Sequence, residues 1–166
     1  MPRQPTLFEN HISNLVAYLE PALSLLTDVH GVFETPFVSL ILQTVQALIG
    51  TVQSVKRNRA SCVQLLENVH QVLFAIVDVH LKSATIGSLP PASLHHIGKF
   101  TDTLSKIHTF IEAQLDRKKI KHFFRQSEMN TLLKDCQTEL LQAQEAFKIE
   151  TAILNFTTIE EMKQKA

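Results

Sequence analysis

The sequence predicts an all-α fold: a four-helix bundle with an extra N-terminal helix, formed by a single domain. Apolar residues recur at spacings of three and four along most of the chain, as one face of a helix requires. No segment alternates with the period of two that strands show, and no Asn-Gly or Asp-Gly hairpin turn occurs. Neither glycine nor proline follows Gly98, which favours long helices from there to the end of the chain.

The first helical region extends roughly from Leu7 to His30. Pro21 lies inside it, and a proline ring cannot continue the backbone hydrogen bonds of a helix interior. We therefore expect a kink or a restart there, with Pro21 in a first turn. The apolar face of this region comprises Ile12, Leu15, Val16 and Leu19.

The second region begins after Pro36 and keeps helical periodicity to about Lys82. A basic cluster of Lys56, Arg57 and Arg59 interrupts the apolar positions without any helix-breaking residue. The pattern fits one very long helix or two helices that meet near Asn58, and it does not decide between them.

A loop over residues 84–92 precedes the third long helix, which we expect to open at Ala92 or Ser93. Ser127 is the predicted N-cap of the last helix, with Glu128 placed favourably in its first turn. The sequence also allows a short additional helix between these two long helices, and it does not decide whether one forms. Beyond Ile149 the apolar pattern of the last helix loosens.

Composition narrows the class of protein. A chain of 166 residues fits one domain, with the core over about residues 20–150 and, we expect, further chain after Ala166 in a longer protein. Because 16 basic residues balance 16 acidic ones, a dedicated nucleic-acid binder is not expected.

The first residues lack the pattern of a signal peptide, no run of 18 nearly continuous apolar residues occurs, and two cysteines make no disulfide framework. These features predict a cytoplasmic protein.

The sequence offers no catalytic or cofactor-binding motif. It contains no His-Glu-x-x-His, no Cys-x-x-Cys, no glycine-rich phosphate loop and no Gly-x-Ser-x-Gly elbow. Cys62 and Cys136 fall in register with core leucines and are expected to be buried small hydrophobes. We therefore expect neither an enzyme nor a metal or cofactor site.

Charge is strongly patterned despite the neutral total. Residues 1–55 sum to −3 and residues 126–166 to −3, whereas residues 117–125 carry +5. This basic stretch is either a solvated turn that complements a helix C-terminus or a surface that binds anionic lipid, with phenylalanines entering beside the headgroups. The predicted lipid-binding residues are Lys56, Arg57, Arg59, Arg117, Lys118, Lys119, Lys121, Arg125, Phe123 and Phe124.

The segment from Thr35 to Val55 contains no charged residue. As one helix with a rise of ~1.5 Å per residue it would be long enough to cross a ~30 Å hydrocarbon core. Glutamines and hydroxyl side chains interrupt its apolar residues, so we expect a central helix of the resting bundle that enters lipid only after release.

The string Lys-Arg-Asn-Arg-Ala-Ser-Cys-Val-Gln-Leu over residues 56–65, followed by Val69 and Leu73, is similar to the Asn-Lys-x-x-Cys-x-x-Leu pattern of HeLo-like four-helix domains. The apolar residues of the third and last helices also fit the pattern of these domains, and the resemblance covers about residues 20–150. It extends to the N-terminal four-helix bundles of mixed-lineage kinase domain-like proteins and their fungal relatives. The residues that carry it there are Phe100, Leu104, Ile107, Phe110, Asp135, Cys136, Leu140, Ala143 and Phe147.

The resemblance implies a membrane-permeabilising effector of programmed cell death and innate immunity. Such domains oligomerise on a trigger, bind anionic phospholipids and move from the cytoplasm to the plasma membrane, and an NTPase or kinase-like domain follows in the same chain. This chain departs from the family at its N-terminal end, where the stretch up to Val55 carries one Arg and four acids. The alternative hypothesis is a helical adaptor or oligomerisation module in intracellular signalling, without membrane activity.

Overall fold

The structure, a computed structural model, describes residue 4 and residues 6–84, 88–115 and 125–165, apart from the side chains of residues 157, 158, 161 and 165. These residues form five helices and no strand, which confirms the predicted all-α helical bundle. The helices are α1 (Leu7–Phe33), α2 (Val38–Val52), α3 (Arg59–Lys82), α4 (Pro91–Ala113) and α5 (Gln126–Lys165).

The five helices form a closed ring around one core. Each helix packs against two main neighbours, in the order α1, α3, α5, α4, α2 and back to α1. The extra N-terminal helix is therefore a full member of the bundle. Among the described residues, the largest completely enclosed side chains are those of Phe100, Phe110 and Phe147.

Contacts along the helices fix their directions. The Arg59 guanidinium lies over the ring of Phe8, and the rings of Phe33 and His80 meet edge to face at 5.3 Å, so α1 and α3 are parallel. In contrast, α4 runs antiparallel to α5. Near its start the Ser93 hydroxyl donates to Glu150, and near its end Gln114 lies beside Met129.

α1 begins with a capping box, in which the Thr6 hydroxyl accepts from the Glu9 backbone N–H and the Glu9 carboxylate accepts from the Thr6 backbone N–H. The helix then continues through Pro21 to Phe33, so the expected restart at Pro21 is wrong. Proline removes one backbone donor, whereas the apolar face on both sides of it is buried against α3 and α2. Tertiary packing therefore outweighs the local cost.

The region from Pro36 to Lys82 consists of two helices that are separated by residues 53–58. Asn58, directly before α3, adopts the left-handed conformation with φ of 49°, which interrupts the regular helical path. α2 therefore contains 15 residues and is about 22 Å long. The expectation of a single helix over Thr35–Val55, long enough to cross a bilayer, is wrong.

Two predicted helix starts also differ from the structure. α4 begins at Pro91, one residue before the earlier of the two expected positions, and proline fits there because a first-turn residue has no intrahelical use for its N–H. At the start of α5 the carbonyl of Arg125 accepts from the Met129 N–H, so Arg125 occupies the cap position and Ser127 lies within the first turn. The possible short helix between α4 and α5 falls on residues 116–124, which lie outside the described residues.

α5 is 40 residues long and outlasts its neighbours. The Ser93–Glu150 contact sets the start of α4 near residue 152, and a bond from Gln144 to Gln71 sets the end of α3 near residue 155. The final turns of α5 therefore extend about 15 Å beyond both helices. Leu154 is the last buried residue among the described side chains, and the part of α5 beyond it has no core to cover. The inward-facing apolar pattern is therefore absent from these final turns.

Candidate functional site

One end of the bundle collects positive charge, and we call it the basic end: Lys56, Arg57, Arg59 and Arg125. A buried glutamine, Gln114, organises it. The Gln114 backbone carbonyl accepts from the Lys56 N–H at 3.2 Å, and its side-chain oxygen accepts from Asn58 at 2.8 Å. The Gln114 amide also donates to the Phe110 carbonyl at 3.0 Å. These bonds hold the α2–α3 loop against the end of α4.

The start of α5 joins the same end, because the Gln114 amide lies 3.5 Å from the sulfur of Met129. The backbone N–H of Met129 in turn bonds the carbonyl of Arg125. Arg125 and the α2–α3 loop are therefore brought to one end of the bundle, although α3 and α4 lie between them in the chain. The structure thus brings together the described members of the two basic clusters.

The four basic residues differ in how firmly they are held. The Arg59 guanidinium lies 4.6 Å from the centre of the Phe8 ring, and its Nε donates to the Val55 carbonyl at 3.0 Å. Lys56 and Arg125 are exposed and Arg57 is half-buried. In the described part of the chain no carboxylate forms an ion pair with any of these three. Their charge is available to an external anion, whereas Arg59 also stabilises the bundle.

The other predicted lipid-binding residues fall between α4 and α5. Arg117, Lys118, Lys119, Lys121, Phe123 and Phe124 lie outside the described residues. The lipid-binding assignment of these six positions stays a prediction.

Among the described helices, α3 alone has the length and the hydropathy of a membrane span, with a mean hydropathy of 1.3 over its most apolar window. Half of that window is buried in the bundle, and the core helix of a water-soluble bundle passes the same test. The length and hydropathy of α3 are therefore only weak evidence for a membrane-spanning segment.

A second polar cluster lies at the opposite end of the bundle, around the completely buried His80. Nδ1 of His80 donates to the Ile76 carbonyl at 2.8 Å, so Nε2 accepts from the Thr35 hydroxyl at 2.7 Å. Burial lowers the pKa of His80, and nearby His30 lowers it further, while the bond to Ile76 opposes the shift. This neutral imidazole ties the α1–α2 turn to α3.

Ser93, Glu150 and His96 bring together the residue types of a hydrolytic triad. The Ser93 hydroxyl donates to one Glu150 oxygen at 2.9 Å, and Nε2 of His96 lies 3.7 Å from the other. The carboxylate therefore stands between serine and histidine, so the histidine does not contact the hydroxyl as it does in a catalytic triad. Ser93 is also completely buried. The cluster stabilises the N-terminal turn of α4, where a negative charge is favourable.

The cysteines and histidines of the described residues form no metal centre. No group of three His, Cys, Asp or Glu side chains there could hold an ion. Cys62 and Cys136 are both buried, as predicted, and burial raises each thiol pKa to about 12. Neither thiol forms a nucleophilic thiolate near neutral pH.

Sequence reasoning missed three features of these surfaces. Gln114 and Thr35 gave no signal, because an isolated polar residue at a helix end is ordinary until its partners are known. The third feature, an exposed apolar face on the second half of α5, was visible as the spacing of Ile149, Phe156 and Ile159.

Comparison with protein-family models, with curated proteins and with solved structures finds no match to this chain.

Proposed function

We propose that this chain is a membrane-permeabilising cell-death effector domain that binds anionic phospholipids through its basic end and acts as an oligomer. The observation that best supports this proposal is that Lys56, Arg57 and Arg125 lie at one end of the bundle. None of the three forms an ion pair with a carboxylate of the described residues. Each basic residue near an anionic leaflet contributes roughly 1 kcal/mol. The resemblance to HeLo-like domains supports the same function.

The proposed contact is peripheral in the resting bundle. All of the inward side chains of α2 are buried, and the helix is about 22 Å long against a hydrocarbon core of ~30 Å. Permeabilisation therefore requires that the bundle opens after it has assembled on the membrane. In this proposal the domain is cytoplasmic at rest and moves to the plasma membrane on activation.

Vesicle flotation and dye leakage test the proposal. The wild-type chain should float with vesicles that contain phosphatidylserine and remain behind with phosphatidylcholine vesicles. The double variant K56E/R57E should lose most of this binding, because both side chains are solvent-accessible and a charge reversal replaces attraction with repulsion.

A matched control places the same charge change at the other end of the bundle. Lys82 and Lys99 are exposed near the end of α3 and the start of α4, so K82E/K99E alters the net charge equally. This control should float as the wild type does. Equal binding of neutral and anionic vesicles, or equal loss in both double variants, would contradict a localised lipid contact.

The exposed apolar face of α5 favours a second candidate, a helical adaptor or oligomerisation module without membrane activity. Such a module self-associates or binds a protein, and it stays out of the vesicle fraction at every lipid composition. The flotation experiment therefore separates the two functions.

A further inference from the structure

The outer face of α5 carries a continuous line of side chains that the bundle does not cover. Ile149, Ala152, Phe156 and Ile159 follow one another at spacings of three, four and three, as in a coiled-coil seam. All four are exposed. On the opposite side of the same helix, Phe147 and Leu154 are buried in the core.

This face is large for a chain that stays single. Five of its large apolar side chains are more than half exposed, and at about 100 Å² each they amount to roughly 500 Å². That lies in the upper part of what monomers expose, and it is more than half of the ~800 Å² that each partner contributes to a standard interface. The five are Ile149, Ile153, Phe156, Ile159 and Met162.

We propose that a second copy of this chain covers the face, with the two α5 helices antiparallel about a twofold axis near residue 154. In this register Ile149 lies opposite Ile159 of the other copy, and the small Ala152 lies opposite the large Phe156. Because of the twofold axis, each of these two residue pairs occurs twice in the dimer. The inference deepens the self-association within the proposed function by naming its surface.

The charges at the ends of the seam select the antiparallel direction. Glu145 and Lys163 occupy the next seam positions on either side, and both are exposed. In the antiparallel register each Glu145 meets a Lys163 of the other copy. A parallel pair would place glutamate against glutamate and lysine against lysine, which is unfavourable.

Sedimentation equilibrium of the whole chain tests the interface. The wild type should be a dimer at micromolar concentrations. Phe156→Glu places a charge in the central layers and should give a monomer whose thermal midpoint matches that of the dilute wild type. A wild-type chain that stays monomeric up to ~100 μM, or a Phe156→Glu chain that stays dimeric, would overturn the proposal.

A charge exchange tests the direction of pairing with little risk to folding, since both positions are solvent-exposed. E145K alone places lysine opposite lysine twice and should raise the dimer dissociation constant roughly tenfold or more. The double variant E145K/K163E restores opposite charges and should return the constant to the wild-type range. In a parallel pair E145K only exchanges one like-charge contact for another, so an unchanged constant excludes the antiparallel register.

Dimerisation and lipid binding are measured separately, so their failures can be told apart. K56E/R57E lies at the basic end, far from the seam, and should remain dimeric while it loses vesicle binding. A chain that dimerises as described without floating on any vesicle retains the interface and loses the membrane function.

Discussion

Three buried polar side chains decide how the helix ends of this bundle meet. Gln114 connects the α2–α3 loop, α4 and α5, whereas His80 connects the α1–α2 turn to α3. Glu150 lies against the first turn of α4. A buried polar group left without its partner destabilises by about 1–3 kcal/mol, so each residue favours one arrangement of the helices over the alternatives.

His80 makes the stability of the bundle depend on pH. Burial lowers its pKa in the folded chain, so between that pKa and the ordinary value near 6.5 the unfolded chain binds more protons. The contribution of the neutral imidazole is complete above pH ~6.5 and is lost as the pH falls below it. Urea unfolding at a series of pH values should show a free energy of unfolding that declines over this window.

His80→Gln is the variant that tests this assignment. It removes the titrating group, so the decline below pH ~6.5 should flatten, while at pH 7.5 the lost imidazole contacts cost about 1–3 kcal/mol. His70 provides the comparison, because burial lowers its pKa as well although it is only half-buried. A His80→Gln chain with the full wild-type decline, or a larger flattening for His70→Gln, would contradict the assignment.

At the scale of helices, the sequence predicted most of the architecture because the apolar spacing is a local signal. Leu104 and Leu140 are buried as their spacing indicates. The restart expected at Pro21 fails because distant contacts outweigh local preference: Pro21 stays within α1 since both of its flanks pack. The structure decides between the two alternatives left open for residues 37–82 in favour of two helices, with the break ending at Asn58. The basic end depends on Gln114, whose partners in the α2–α3 loop are distant in the chain, and no local pattern encodes such a contact.

The last helix offers a direct test of which face is buried. Leu140 is completely buried and the adjacent Leu141 is 58% exposed. Leu140→Ala removes side-chain atoms from the core and leaves a cavity, so it should cost about 2–5 kcal/mol of unfolding free energy. Leu141→Ala should change it by no more than about 0.5 kcal/mol. Chemical denaturation of both variants measures the difference, and similar costs would place α5 in another rotation.

For the whole molecule, the two proposed surfaces depend on different forces. The basic end attracts lipid by charge, which salt screens, and the Debye length falls from about 10 Å at 0.1 M to about 3 Å at 1 M. The α5 face associates mainly through apolar layers, which salt does not weaken. Ionic strength is therefore a single variable that separates the two surfaces without any mutation.

We expect that raising NaCl from ~0.05 to ~0.5 M releases most of the chain from phosphatidylserine vesicles, because three or four exposed charges account for the attraction. Over the same range the dimer dissociation constant should change by no more than about threefold, since only the Glu145–Lys163 contacts are screened. E145K should show the reverse trend and recover dimer at high salt, as screening removes its lysine–lysine repulsion. Flotation and sedimentation at matched salt concentrations measure both quantities. Parallel loss of dimer and vesicle binding would mean that charge, and not the apolar seam, holds the copies together.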